Sequence, residues 1–278
     1  MDALLPPEMA DKAVQIGVGK AGLDATSTFV LGVLAGAFIG LGAVFATTAA
    51  AGAGDLPFGV ARTLVGVVFS LGLVLVVVGG AELFTGNNLV IMAWASGRVK
   101  TRALLRNWAL VFAGNTVGAV GTAALVFAAA HHELGGAQVG AAALAIAESK
   151  LQLGFVEAVA RGILCNALVC LAVWLTFSAR TVGGKILAIV PPIAAFVAAG
   201  FEHSIANLYF VPVALMIQAG AGPEFWAALG QPASDFVGLS LASFLLHNLL
   251  PVTLGNILGG AGLVGGVYWL VYLRPRRG

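Results

Sequence analysis

Charged side chains are scarce in this sequence. Asp, Glu, Lys and Arg make up 9% of the 278 residues, whereas hydrophobic residues make up 60%, and the mean hydropathy is +1.00. Soluble domains carry roughly 25% charged residues, so this chain has too few to cover itself with a surface that faces water. The composition therefore excludes a soluble globular protein and predicts an integral membrane protein.

Cysteines, a leader segment and alternating strands are also missing or rare. The two cysteines, Cys165 and Cys170, lie in one apolar run, which excludes a surface disulfide framework. Residues 1–15 lack a basic stretch followed by an apolar one, so we expect no cleaved signal peptide. The apolar runs are continuous, without the apolar/polar alternation of barrel strands. Helices therefore satisfy the backbone within the membrane.

Long apolar runs are what the sequence has instead. A helical crossing needs about 20 mostly apolar residues, and six runs meet this length: 27–50, 63–95, 107–130, 154–178, 186–219 and 236–271. The second, fifth and sixth runs are longer than one simple crossing requires. We therefore expect interruptions or tilts in these runs.

The distribution of Lys and Arg predicts the orientation. With the N-terminus in the cytoplasm, Arg62 and Lys150 are the only ones of the 14 Lys and Arg residues on the opposite side, and Arg161 falls inside a span. Positive charge concentrates on the cytoplasmic side of membrane proteins. We therefore expect both termini to be cytoplasmic, which agrees with an even number of spans.

Two motifs recur in the same order in the two halves of the chain. Residues 80–87 (GAELFTGN) and 200–207 (GFEHSIAN) both read G-x-E-x-x-x-x-N, and residues 114–118 and 255–259 both read G-N-x-x-G. With three spans in each half, the second half enters the membrane in the opposite sense. This pattern predicts two inverted three-helix repeats, with interrupted second and fifth helices that flank a substrate path.

The repeats define one membrane domain, 1–278, rather than separate domains. Its halves cover approximately residues 24–130 and 150–273, and short cytoplasmic tails precede and follow them. The N-terminal ends of interrupted helices carry partial positive charge, which suits an anion in the path.

Four segments resemble the formate/nitrite transporter family: residues 81–87, 161–174, 200–207 and 248–256. The resemblance implies an aquaporin-like, all-α membrane fold, a homopentamer with one pore per protomer, and a place in the bacterial cytoplasmic (inner) membrane. It also implies transport of small weak-acid anions, often with a proton. We expect formate, with nitrite, hydrosulfide or another short carboxylate as the alternatives. The Asn-Pro-Ala boxes of aquaporins are absent, which argues against water and glycerol.

Polar side chains in the interrupted spans are the candidate pore residues. A histidine in an apolar span is costly unless it faces a cavity or a partner, and its charge changes near neutral pH. His203 can therefore donate a hydrogen bond to an anion or pass it a proton, and the resemblance places it at the pore centre in contact with Thr85. The remaining candidates are amides, which could bond the substrate or join helices: Asn87, Asn166, Asn207 and Asn248.

Apolar side chains are the candidate constrictions. By resemblance, Leu83 and Phe84 form the cytoplasmic one and Phe196 the periplasmic one, while Phe69 and Leu73 align with the latter by spacing alone. Apolar collars resist hydrated ions, and a bare anion pays a large desolvation cost there. We therefore expect the substrate to cross the collars as the neutral acid or with the help of hydrogen bonds.

The charged residues near the spans receive separate interpretations. Lys150 precedes the fourth run and matches the family's vestibule lysine, which would raise the local anion concentration. Glu82 and Glu202 would repel an anion, so we expect them to be structural, either protonated or hydrogen-bonded. Arg161 lies four residues after Glu157, and an ion pair between them is favoured over a pore role.

An enzyme is the alternative of a different class. The sequence offers no Cys/His/Asp metal set, nucleophile elbow or phosphate loop, so we expect neither catalysis nor a cofactor nor a metal. The expected partners are the anion, protons, the lipid bilayer and further copies of the chain, without nucleic acid.

Overall fold

The computed structural model describes residues 3–274, whose regular structure is helical. The ends of the two expected tails, residues 1–2 and 275–278, lie outside the described residues. The helices are α1 (Pro6–Gly22), α2 (Ala25–Ala50), α3 (Phe58–Phe69), α4 (Leu71–Gly79), α5 (Ile91–Ala95), α6 (Thr101–Ala128), α7 (Gln138–Leu151), α8 (Phe155–Ser178), α9 (Val182–Ala198), α10 (Ser204–Gly220), α11 (Pro223–Leu229) and α12 (Leu241–Leu273).

Five of these segments are long and apolar enough to cross a membrane. They are α2, α3 with α4 (Phe58–Gly79), α6, α8 and α12. A sixth crossing is counted if α10 and α11, which are bent by 110° relative to each other, form one span. The prediction of a helical membrane protein with about six spans is therefore confirmed, with five or six crossings by length and composition.

Two of the predicted runs are divided by non-helical backbone. In the run 63–95, α4 ends at Gly79, Gly80 has φ +80°, and a short 3₁₀ helix begins only at Gly86. In the run 186–219, α9 ends at Ala198, Gly200 has φ +74°, and α10 begins at Ser204. Glycine adopts such positive φ values without steric cost. The two motifs of the sequence therefore coincide with the two breaks.

Two helices occupy positions where a tail and a loop were expected. The amphipathic α1 lies in the predicted N-terminal tail, and α7 lies between the third and fourth runs. Both are shorter than a crossing requires, so a search for long apolar runs passes over them. The long sixth run, by contrast, is one helix without a break, because α12 absorbs the extra residues in π-helical turns.

The backbones of helices α2 and α6 pack closely against each other at glycine residues. A Cβ on Gly118 would overlap the carbonyl oxygen of Val33, and one on Gly36 would overlap that of Asn115. The same arrangement recurs between α8 and α12, where a Cβ on Gly259 would overlap the carbonyl oxygen of Ile163. Small residues that let helix backbones touch are typical of membrane helix packing.

The exchange Gly118→Ala tests this approach. The added methyl group must push α6 away from α2, and overpacking of this kind costs about 1–3 kcal/mol of the free energy of unfolding. We expect a lower melting temperature of the purified protein in detergent. The control is Gly121→Ala on the same helix, where nothing lies within 4 Å of the new Cβ. Equal melting temperatures for the two variants would contradict the close contact.

Candidate functional site

His203 and Thr85 bring the two breaks together. The imidazole Nε2 lies 3.0 Å from the Thr85 hydroxyl oxygen, and both side chains are buried. The other ring nitrogen, Nδ1, accepts the backbone N–H of Ala206 at 3.0 Å and caps the N-terminus of α10. An accepting Nδ1 carries no proton, so the neutral ring bears its proton on Nε2 and donates it to Thr85. The imidazole is therefore fixed in position and in tautomer.

A narrow chamber lies beside His203. Its volume is about 10 Å³, which is the space of about one water molecule. Apart from the imidazole its walls are apolar, and they come from five helices and the first break: Ile39, Phe69, Leu73, Leu83, Val169, Ile193 and Phe196. A hydrated ion does not fit in this space.

Two larger cavities lie on either side of the chamber. The α1-side cavity has a volume of about 300 Å³ and shares Leu73 and Leu83 with the chamber. The α7-side cavity has a volume of about 500 Å³ and shares Phe69, Phe196 and His203 with it. The cavities and the chamber thus form one series through the protein, with apolar side chains at both junctions.

Four of the five candidate constriction residues line this series, and Phe84 does not. Its ring packs edge-on against Phe112, at 5.1 Å between centroids, and against Trp108 at 6.2 Å. It lines none of the three cavities. Leu83, its neighbour, is the side chain from this break that reaches the chamber.

Glu82 lies in a buried network with a lysine from α1. The Lys20 ammonium group donates to Glu82 Oε1 at 2.6 Å and to the Asn87 side-chain oxygen at 2.9 Å. The Asn87 amide in turn donates to Glu82 Oε2 and to the side-chain oxygen of Asn107. The carboxylate is therefore paired with a cation and hydrogen-bonded on both oxygens.

Glu202 lies in the matching network of the second break. Lys150 donates to Glu202 Oε1 at 2.9 Å, and the Asn207 amide donates to Glu202 Oε2 and to the Asn248 side-chain oxygen at 2.7 Å each. Asn248 closes the network by donating to the Lys150 carbonyl at 3.0 Å. Each residue of this network has a counterpart in the network around Glu82.

Lys150, the candidate vestibule lysine, lies on a helix. It is in the last turn of α7, with its side chain only 13% exposed. It lines the α7-side cavity and is bonded to Glu202, whose side chain is 5% exposed. The lysine therefore neutralises a buried carboxylate as well as facing the cavity.

Two asparagines of the G-N-x-x-G motifs hold the freed backbone of the breaks. Asn115 donates to the carbonyls of Gly32 and Glu82 and accepts the N–H of Phe84. Asn256 donates to the carbonyls of Gly162 and Glu202 and accepts the N–H of Ser204. The recurring motif identifies these two asparagines in the sequence, but only the contacts in the structure show that they bond the backbone of the breaks.

The other candidate amide and the charged pair on α8 also join parts of the fold. Asn166 donates to the carbonyl of Asn256 at 2.6 Å and to that of Thr85 at 3.3 Å. Arg161 forms the expected ion pair with Glu157 and donates from Nη1 to the Gly200 carbonyl at 3.2 Å.

Sequence reasoning missed three cations of the α1-side cavity. Lys12, Lys20 and Lys185 line this cavity together with Glu82. In the sequence these lysines served only to predict the orientation of the chain in the membrane. Burial and the neighbouring charges of Arg180 and Lys185 lower the pKa of Lys12 below its ordinary value. The recurring G-x-E-x-x-x-x-N motif could have pointed to Lys20, because a lysine partner for one of its two glutamates predicts a lysine partner for the other.

A double-mutant cycle on Lys150 and Glu202 tests the buried pair. Removing one partner leaves an uncompensated buried charge, which costs about 3–5 kcal/mol. We expect Lys150→Met and Glu202→Gln each to lower the free energy of unfolding in detergent by this amount, and the double variant to lose much less than their sum. The same cycle on the exposed pair Arg161 and Glu157 should give a coupling of only about 0–1 kcal/mol. Additive losses at Lys150 and Glu202 would contradict the pairing.

Comparisons with known proteins cover nearly the whole chain. A family model described as "Formate/nitrite transporter" matches residues 7–270. The formate channel FocA of Escherichia coli (strain K12) is 45% identical over 98% of this chain and 96% of its own length. The formate channel FocA of Haemophilus influenzae is 40% identical over 95% of this chain and 93% of its own.

Solved structures agree with these relatives. A structure described as a pentameric formate channel with formate bound superposes with a TM-score of 0.86 at 45% identity, covering 90% of this chain and 98% of that one. An FNT family ion channel superposes with a TM-score of 0.81 at 28% identity, covering 96% and 99%.

Proposed function

Because the chain belongs to the formate/nitrite transporter family, we propose that it moves formate across the membrane through the chamber beside His203. The observation that carries this proposal is the contact of Thr85 with His203, whose imidazole lines a chamber with room for about one water molecule. An anion must shed its water to pass this point. The N–H of the imidazole and the hydroxyl of Thr85 are the groups that can replace that water.

Formate fits these donors by size and charge. It is a small monovalent anion whose two oxygens accept hydrogen bonds, and charge-assisted bonds of this kind are stronger than neutral ones. Nitrite has the same arrangement of two oxygens and is the second candidate substrate. The apolar junctions at Leu83 and Phe196 resist charge, which favours crossing of those junctions as the neutral acid.

We propose that the proton for this neutral acid passes through the His203 imidazole. The neutral ring has one proton, on Nε2, so giving it away would leave an unfavourable anion. A proton must therefore first reach Nδ1, which accepts the Ala206 N–H as the cap of α10. Loss of a helix cap costs about 1 kcal/mol. Protonation of the imidazole is in this way coupled to loosening of the first turn of α10.

The wider architecture follows as part of the same proposal. Residues 24–130 and 150–273 are two inverted three-helix repeats of one aquaporin-like domain. The matched networks around Glu82 and Glu202 support this symmetry. The chain assembles as a homopentamer, as in the similar pentameric formate channel, in a cytoplasmic membrane. The distribution of Lys and Arg supports cytoplasmic termini, with α1 on the cytoplasmic side.

Purified protein in liposomes tests the transport proposal. We expect the protein to dissipate an imposed formate gradient, measured as formate released or taken up over time, and to do the same for nitrite. Liposomes without protein give the background. A rate no greater than this background would contradict the proposed function.

The exchange His203→Asn tests the central imidazole. Asparagine can still accept the Ala206 N–H as a helix cap, but it gains no proton between about pH 5 and 8. We expect the variant to remain folded and to transport formate without the pH dependence of the natural protein. His247→Asn, an exposed histidine of α12, should leave the pH dependence as it is. Unchanged pH dependence in His203→Asn would exclude the proton role.

A further inference from the structure

Two arginines converge on the break between α9 and α10. Arg62 Nη2 and Arg161 Nη1 lie 3.7 and 3.8 Å from the point where a Cβ of Gly200 would stand. Gly200 has φ +74°, a region that favours glycine. The guanidinium groups from α3 and α8 therefore lie beside the same short stretch of backbone.

Backbone carbonyls hold the two guanidinium groups in place. Arg62 donates from Nε to the Ala198 carbonyl at 3.2 Å and from Nη2 to that of Val197, and Arg161 donates to the Gly200 carbonyl. These bonds use only some of the five N–H donors of each guanidinium group. Carbonyl groups carry no net charge, so the bonds orient the arginines without neutralising them.

The positively charged side chains that line the α7-side cavity differ in how far carboxylates neutralise them. Lys150 is bonded to Glu202, and Arg161 is paired with Glu157 in an exposed contact whose side chains are 40% and 49% accessible. Exposed pairs of this kind are weak. Arg62 takes part in none of the ion pairs found within residues 3–274. Arg62 and Arg161 are both positively charged and lie beside the same residue, Gly200, so they repel each other.

We propose that Arg62 and Arg161 form a binding site for the substrate at the α7-side mouth, and that it takes a planar anion with two oxygens such as formate or nitrite. The flat guanidinium fork matches a two-oxygen anion, and an anion between the arginines relieves their mutual repulsion. Arg62, Arg161 and His203 line the same cavity, so the site opens directly toward the chamber. This inference rests on the proposed function and places anion capture on the arginines rather than on Lys150.

Formate uptake into liposomes at a series of external concentrations tests the site. The protein is oriented so that the α7-side cavity opens to the external solution. We expect Arg62→Gln and Arg161→Gln each to raise the half-saturating concentration about threefold, and the double variant about tenfold, as exposed charged contacts predict. The maximal rate should stay close to that of the natural protein, because the chamber is unchanged. Arg102→Gln, which removes an exposed arginine at the start of α6, is the matched control and should change neither value.

The lysine variants and the maximal rate separate the remaining explanations. Arg62→Lys and Arg161→Lys keep the positive charge but lose the planar guanidinium group. We therefore expect their half-saturating formate concentration to stay above that of the natural protein. Full recovery with lysine would overturn recognition of a planar anion. If Arg62→Gln loses its maximal rate through disturbance of the break, Arg161→Gln decides the test. The site would be overturned if Arg161→Gln kept both the half-saturating concentration and the maximal rate of the natural protein. Absence of formate flux in the natural protein would contradict the proposed function instead.

Discussion

Backbone freed from helices inside a membrane must find partners within the protein, and this constraint organises the whole structure. A peptide group in the lipid interior has no water to bond, and leaving it unpaired costs several kcal/mol. The breaks after α4 and α9 create such groups. Asn115 and Asn256 satisfy them from α6 and α12, and the glycine contacts bring those helices close enough to do so.

The same breaks explain why buried charge is present at all. Each break brings a glutamate into the protein interior, and a buried carboxylate is tolerated when it is paired and hydrogen-bonded. Helices α1 and α7 supply the lysine in each case, Lys20 and Lys150. These helices, which are both shorter than a membrane crossing requires, therefore each contribute a lysine to one of the two cavities. The result is a fixed frame around a chamber whose one polar wall residue, His203, is bonded to Thr85.

Positively charged side chains line both cavities but not the chamber between them. The two cavities are each lined by three Lys or Arg residues and a single glutamate, which favours entry of an anion from either side. The chamber between them is apolar except for His203, so the anion loses that support at the centre. The proposed exchange of a proton at His203 fits this arrangement, because a neutral acid passes an apolar junction more readily than an ion does.

The sequence by itself determined the membrane class, the helical spans, the two recurring motifs and the likeness to a transporter family. These features are local, since apolar runs and motif spacing are written in consecutive residues. The tertiary structure alone decided which lysine neutralises which glutamate, that Phe84 lines neither the chamber nor the two cavities, and that Arg62 and Arg161 both lie beside Gly200. Lys150 and Glu202 are 52 residues apart in the chain, and no local pattern records such a contact. It arises only when the helices that carry the two residues pack together.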